Sequence, residues 1–198
     1  MILLALAAQL AAPTPLKPDS WFTELDIPTG ALELKGSIVV DYGIMVAPDG
    51  TAQNCFVERG TGNVEMDRRV CGRVLSHARF LPARSAAGQP AYGVYRGRAQ
   101  WFNGDGEEPR ATPQGPFDLT VESLPAKVSA PAEVRVTMAV DAKGIPTSCK
   151  PHDEKSNDAL ATAACGQMLR TYTAVPARDT AGAPVASVQS AVVRFFKS

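Results

Sequence analysis

The chain carries one pattern twice, 94 residues apart, and this spacing limits what it can fold into more than any other feature. The stretch "RFLPARSAAGQP" at residues 79–90 returns as "TAVPARDTAGAP" at residues 173–184, so that Pro82, Ala83, Arg84, Gly88 and Pro90 become Pro176, Ala177, Arg178, Gly182 and Pro184. The same offset relates Gly50 to Gly144, Cys55 to Cys149, Cys71 to Cys165 and Phe102 to Phe196 without a gap. Residues 36–102 and 130–196 share roughly 16 identities over about 67 positions, concentrated at Gly, Pro and Cys, the residue types that dictate backbone geometry. A period of 94 is too long for a solenoid unit. The expectation is a duplicated small domain, with copies at 36–102 and 130–198 and a linker at 103–129.

Each copy reads the same way. Val40, Tyr42, Ile44 and Val46 alternate along one face of a strand, as do Val134, Val136, Met138 and Val140. The turns "APDG" and "DAKG" lead into a second, cysteine-bearing strand. Met66, Val70, Cys71, Val74, Leu75 and Ala78 then recur at helical spacing, and Leu160, Ala164, Cys165, Met168, Leu169 and Tyr172 repeat the pattern. Pro82 and Pro176 are expected to stop the helix, and the turns at Gly88 and Gly182 to start a closing strand ending in "WF" or "FF". The predicted fold class is α+β: two β-β-α-β units, each a three-stranded antiparallel sheet with a helix on one face. A tight hairpin between the first two strands and the lack of a Gly-rich phosphate loop exclude a Rossmann unit.

Four cysteines allow three connectivities. Both copies separate theirs by 16 residues, and only pairing within each copy, Cys55 with Cys71 and Cys149 with Cys165, gives each the same staple. Each loop is worth roughly 3 kcal/mol in the chain-entropy picture, a useful addition for domains this small. Zinc is the rival: Cys149 and His152 have C-x-x-H spacing, but Glu58 stands at the equivalent of His152 and no fourth ligand is evident, so no metal and no cofactor is expected. Paired cysteines agree with the apolar start "MILLALAAQLAA", which reads as a signal peptide over 1–12 cut near Ala12, leaving 13–35 as an N-terminal extension. The expected location is the periplasm.

Charge adds an exclusion. Lys plus Arg and Asp plus Glu number 20 each, so no global field recruits nucleic acid or an anionic membrane. His77 and His152 occupy non-equivalent positions outside any nucleophile motif, so no catalytic residue is expected. Arg84 and Arg178 read as caps on the helix C-terminus just before them, and "NGDGEEP" at 103–109 as an acidic linker rather than a calcium loop.

The order of alternating strand, "DG" turn, cysteine-bearing strand, helix, "F-x-PA-x-x-x-x-G-x-P" and aromatic-ended closing strand resembles the C-terminal domain of the TonB family. The likeness is carried by "IVVDYGIMVAPDG", "MDRRVCGRVLSHARFLPARSAAGQP" and "RGRAQWF", with a looser second copy in which "AVPAR" replaces "RFLPAR". The resemblance implies a protein-binding module of the cell envelope, associated with TonB-dependent outer-membrane transport, whose closing strand pairs with an extended receptor segment. By position this edge maps to Tyr92–Phe102, with Tyr92, Val94, Tyr95, Arg96, Arg98, Trp101 and Phe102 as the partner-binding residues, and less strongly to Val185–Phe196. The family's transmembrane helix and Pro-rich spacer are not found in this sequence. Three other outcomes remain open: pairing of the two copies with each other, a strand-exchanged dimer, and a periplasmic enzyme or enzyme inhibitor on the same scaffold. Convergence of polar residues from both copies in one pocket would favour the last.

Overall fold

A computed structural model describes residues 10–23, 26, 36–103, 117–153 and 157–198. Along the N-terminal half run β1 (Thr14–Leu16), β2 (Gly36–Val46), β3 (Ala52–Arg59), α1 (Val64–His77), β4 (Arg79–Leu81), β5 (Ala83–Arg84), β6 (Pro90–Ala91) and β7 (Gly93–Asn103). The C-terminal half follows with β8 (Phe117–Val121), β9 (Ala132–Val140), β10 (Pro146–Pro151), α2 (Asp158–Thr171), β11 (Ala177–Arg178), β12 (Pro184–Val185) and β13 (Ser187–Lys197). The protein is thus mixed α+β, with two helices and several sheets. The helices begin and end 94 residues apart.

The alternation in β2 and β9 does what it predicts. Val40, Tyr42, Ile44 and Val46 are buried against Val70, Val74 and Ala78, and Val134, Val136, Met138 and Val140 against Leu160, Ala164 and Met168. Asparagine starts each helix: the Asn63 side chain accepts from the Glu65 and Met66 amides, and Asn157 from the Leu160 amide. Disulfides join β3 to α1 through Cys55–Cys71 and β10 to α2 through Cys149–Cys165, as the equal spacings predict.

The helices do not end at the prolines. Their caps are Ala78 and Tyr172, already extended, and two residues later the Phe80 and Ala174 amides donate to the carbonyls of Gly50 and Gly144. Gly50 and Gly144 have φ of 85° and 88°, the left-handed region, and a Cβ on either would collide with the carbonyl oxygen of Phe80 or Ala174. The turn after the first strand of each half therefore holds the helix exit. Arg84 and Arg178 cap no helix either: each donates through Nη1 to the glycine carbonyl of its own turn, Gly88 at 2.9 Å and Gly182 at 2.8 Å.

The two half-sheets join into one. Its order is β10-β9-β13-β7-β2-β3, antiparallel along this path within each half, with β13 and β7 parallel at the centre and β8 also parallel to β13. Residues opposed across a ladder share a face. Gly93 lies opposite Val188, so the face of β7 that bears Tyr95, Ala99 and Trp101 under α1 continues into the face of β13 that points away from α2. The helices consequently cover opposite faces of the joined sheet.

Each half then lays its turn segment on the bare face of the other. Ala83 packs with Val188, Ala91 and Ala139, and its counterpart Ala177 packs with Val94, Met45, Tyr92 and Val185. Two stretches read as connections belong to the fold. Trp21, from the expected extension, is buried against Phe80 and Tyr95 and donates from Nε1 to the Leu16 carbonyl at 3.0 Å. Phe117–Val121, from the expected linker, is a strand whose exposed and half-buried residues alternate. The "NGDGEEP" reading beyond Asn103, most of the signal-peptide reading and linker residues 104–116 lie outside the described residues.

Candidate functional site

The closing strand β7 is the place to look, because its two flanks are treated differently. On one side an unbroken antiparallel register runs from Gly36 opposite Asn103 to Val46 opposite Gly93. On the other side β13 pairs only at Gly93 and Val94. From Val193 onward β13 pairs instead with β8, Val193 opposite Phe117 through Lys197 opposite Val121. Among the described residues, β7 has no strand neighbour on this outer flank beyond Val94.

Parity says which backbone groups face the gap. The Tyr92 carbonyl accepts from the Val188 amide at 2.8 Å, so the even-numbered residues turn their main-chain groups toward that flank. No register shift interrupts β7 against β2, and the N–H and C=O groups of Arg96, Arg98 and Gln100 therefore point outward. Arg96 stands where the strands part: Nη1 donates to the Ser190 carbonyl at 3.2 Å, and Nε to Glu58 Oε1 at 2.8 Å.

The assigned edge residues divide into three pairs, with Phe102 apart. Tyr95 and Trp101 are core residues under α1, with Tyr95 against Trp21 and Phe80 and Trp101 edge-on to Phe22 at 5.6 Å. Val94 is buried with Ala177, and Tyr92 lies against the same cluster. Arg96 and Arg98 share the opposite face, and neither is a free cation. Arg98 Nε donates to Asp41 Oδ1 at 2.6 Å, and Arg59 reaches Asp41 Oδ2 at 2.6 Å, giving a row of Arg, Asp and Arg across β7, β2 and β3. Burial alone would raise the Asp41 carboxyl, but the hydrogen bond and charge of Arg98, with the charge of Arg59, hold it below the ordinary carboxylate range. Phe102 is placed by its backbone, opposite Ser37. In the second assigned edge, Val185–Phe196, β13 already has β9 along one side and β7 and then β8 along the other.

Sequence reasoning missed two further groupings. Phe22, Val70 and Trp101 line an open hollow of about 360 Å3 with Arg69, Arg73 and Asp26 at its rim. Its cations are engaged, Arg73 with Asp26 at 3.0 Å and Arg69 with Glu65 at 2.9 Å. On the bare face of β9 and β13, His152 Nδ1 lies 2.9 Å from Thr137 Oγ1 and 3.5 Å from Ser190 Oγ. Burial, with Arg135 and Lys150 nearby, lowers the His152 pKa against the opposing pull of Asp153. The offset places Thr137, Ser190 and His152 where the first half has Gly43, Arg96 and Glu58, so three exchanges put a hydroxyl–imidazole contact where the first half has an ion pair. His77 is exposed on α1, its Nδ1 3.2 Å from the Arg73 carbonyl.

No protein-family model, curated protein or solved structure matches the chain. Among the described residues, no helix is long and apolar enough to cross a membrane, and no group of His, Cys, Asp and Glu is placed to hold a metal ion.

Proposed function

We propose that the chain is an exported protein-binding module, built from two copies of a TonB-C-terminal-like β-β-α-β domain, that takes an extended segment of a cell-envelope protein by strand addition on β7. The observation that carries this reading is the departure of β13 from β7 after Val94, which leaves outward backbone donors and acceptors at Arg96, Arg98 and Gln100 without a strand neighbour among the described residues. A strand flank in this state is a template for pairing. The resemblance supplies the context, in which the incoming strand belongs to an outer-membrane receptor and the meeting takes place in the periplasm. Two disulfides agree with an oxidising compartment.

The enzyme or inhibitor reading would be favoured by polar residues of both halves converging in one pocket. Thr137, Ser190 and His152 all come from the C-terminal half, and Thr137 rather than Ser190 holds the imidazole nitrogen at hydrogen-bonding distance.

Gln100→Pro tests the reading. Its N–H points away from β2, so proline removes an outer donor and leaves the inner ladder intact. A photocrosslinker on the neighbouring flank should join wild type and Gln100→Ala to an extended segment of an envelope protein, and should fail in a folded Gln100→Pro protein. Equal crosslinking by all three forms would refute strand addition at β7.

A further inference from the structure

We infer that the bare face of the C-terminal half carries a docking cradle for an extended peptide with a leucine-sized side chain, and that Leu10 and Ala11 are its built-in occupant. The Leu10 side chain is buried in one cluster with Ala83, Val188, Ala91 and Ala139. Beside it the main chain pairs as a strand would: the Ala11 amide donates to the Arg84 carbonyl at 3.0 Å, and the Arg84 amide to the Ala11 carbonyl at 2.9 Å. Pro13 follows, lying flat on Gly93, where a Cβ would come within 2.8 Å of the proline ring.

The other half shows that this space is a feature of one side only. The counterpart cluster puts Met45 where the cradle has Ala139, Val185 where it has Ala91, and adds Tyr92 where the chain otherwise has Ala186. Those larger side chains fill their own site, and among the described residues no segment bridges Arg178 as Ala11 bridges Arg84. Small residues on the Arg84 side leave a volume that leucine fills.

Among the described residues, the occupant continues into the fold through Ala12 and Pro13. Ahead of it lies the apolar start of the chain, and after it comes Ala12, where the sequence predicts a cut. Removal of Leu10 and Ala11 exposes an apolar floor and takes away the Ala11 partners of the Arg84 amide and carbonyl, while β1 stays paired with β4. An apolar floor beside free backbone groups is what strand-adding peptides recognise. The seated residues define the ligand class: an extended segment with an aliphatic side chain followed by small residues, of the type Leu-Ala-Ala-Pro.

This site is separate from the outer flank of β7, and its test is independent of that reading. The probe is a fluorescent peptide with the sequence of residues 7–15. In the full chain, Leu10→Asp with Ala11→Pro unloads the cradle, and this variant should bind the probe at least about tenfold more tightly than wild type, as read by anisotropy. A probe with Asp in place of its leucine should not bind, and adding Ala139→Met to the unloaded variant should restore the wild-type value. A folded, unloaded variant that gains no affinity, or that takes both probes equally, overturns the inference. Hydrogen exchange on wild type gives a second reading without any variant. A releasable occupant requires the Ala11 and Arg84 amides to exchange at least about a hundredfold faster than those of Val40 and Val136, through local opening. Exchange of all four at one rate overturns it.

Discussion

Replacing Gly144 by alanine should destabilise the protein far more than replacing Gly182, although both have positive φ, 88° and 80°. At Gly182 an added Cβ meets nothing within 4 Å, so the cost is the left-handed backbone itself, about 1 kcal/mol once the stiffer unfolded chain is counted. At Gly144 the Cβ collides with the Ala174 carbonyl oxygen, a backbone atom that cannot swing aside. Moving that segment strains the 2.8 Å bond from the Ala174 amide to the Gly144 carbonyl, worth about 1 kcal/mol, and forces a shift of the overpacking kind, about 1–3 kcal/mol. With the backbone cost included, the expected total is about 3–5 kcal/mol, and Gly50→Ala should match it, because Phe80 stands in the same relation to Gly50. Urea titration of the three variants with disulfides intact, fitted with a common slope, measures the difference. Equal losses at Gly144 and Gly182 would refute the claim that the turn glycine holds the helix exit.

Acid should erase the advantage of Asp41 over asparagine. The folded-state pKa of Asp41 is below its ordinary 3.8, so its contribution is complete above that value and is lost as pH falls through the lower folded one. Asp41→Asn should therefore cost about 1.5–3 kcal/mol near neutrality, the range for hydrogen bonds to charged groups, and progressively less as pH falls through the lowered folded value; a pH-independent difference would show that the Arg98 and Arg59 contacts contribute nothing through charge. Replacing Cys149 and Cys165 together by alanine should lower stability by about 3 kcal/mol from loop closure. A loss under about 1 kcal/mol in denaturant titration would show that the staple is redundant with the packing of α2 on β9.

What the sequence made legible was local. Alternation in β2 and β9, the spacing of Met66, Val70 and Val74, and equal cysteine separations are all short-range signals, and each element they predict is present. The helix ends were misjudged because a proline constrains its predecessor, whereas the chain had already turned extended to bond Gly50 and Gly144. The joining of the halves had a trace in the sequence. "IMVA" at 44–47 interrupts the alternation, and Met45 is apolar on the face away from α1 because Ala177 covers it. Val94 and Val188 carry the same trace. The ion pairs were hidden for a different reason: that Arg98 meets Asp41 depends on the register of β7 against β2, and composition holds no record of register. Trp21 marked the extension as part of the core, since a large apolar ring rarely stays in water when the chain can bury it.

The inequality of the two closing strands follows from what precedes each first strand. Ahead of β9 the chain spends Phe117–Val121 on the flank of β13, and Arg194 ties that strand in place through Asp118 at 2.7 Å and 2.8 Å. Ahead of β2 the described residues go elsewhere. Phe22 packs on Trp101 and Tyr42, and Asp26 bonds Arg73 on α1, which places both on the helix side of β7 rather than along its flank. The aspartates thus direct the two segments differently, one to an arginine on the closing strand and one to an arginine on the helix. Arg98 on β7 bonds Asp41 across the ladder, and Arg194 on β13, which stands opposite Glu133, adds the bond to Asp118 on the flanking strand. Among the described residues, then, the flank of β13 is covered by β8, whereas β7 has no strand neighbour beyond Val94.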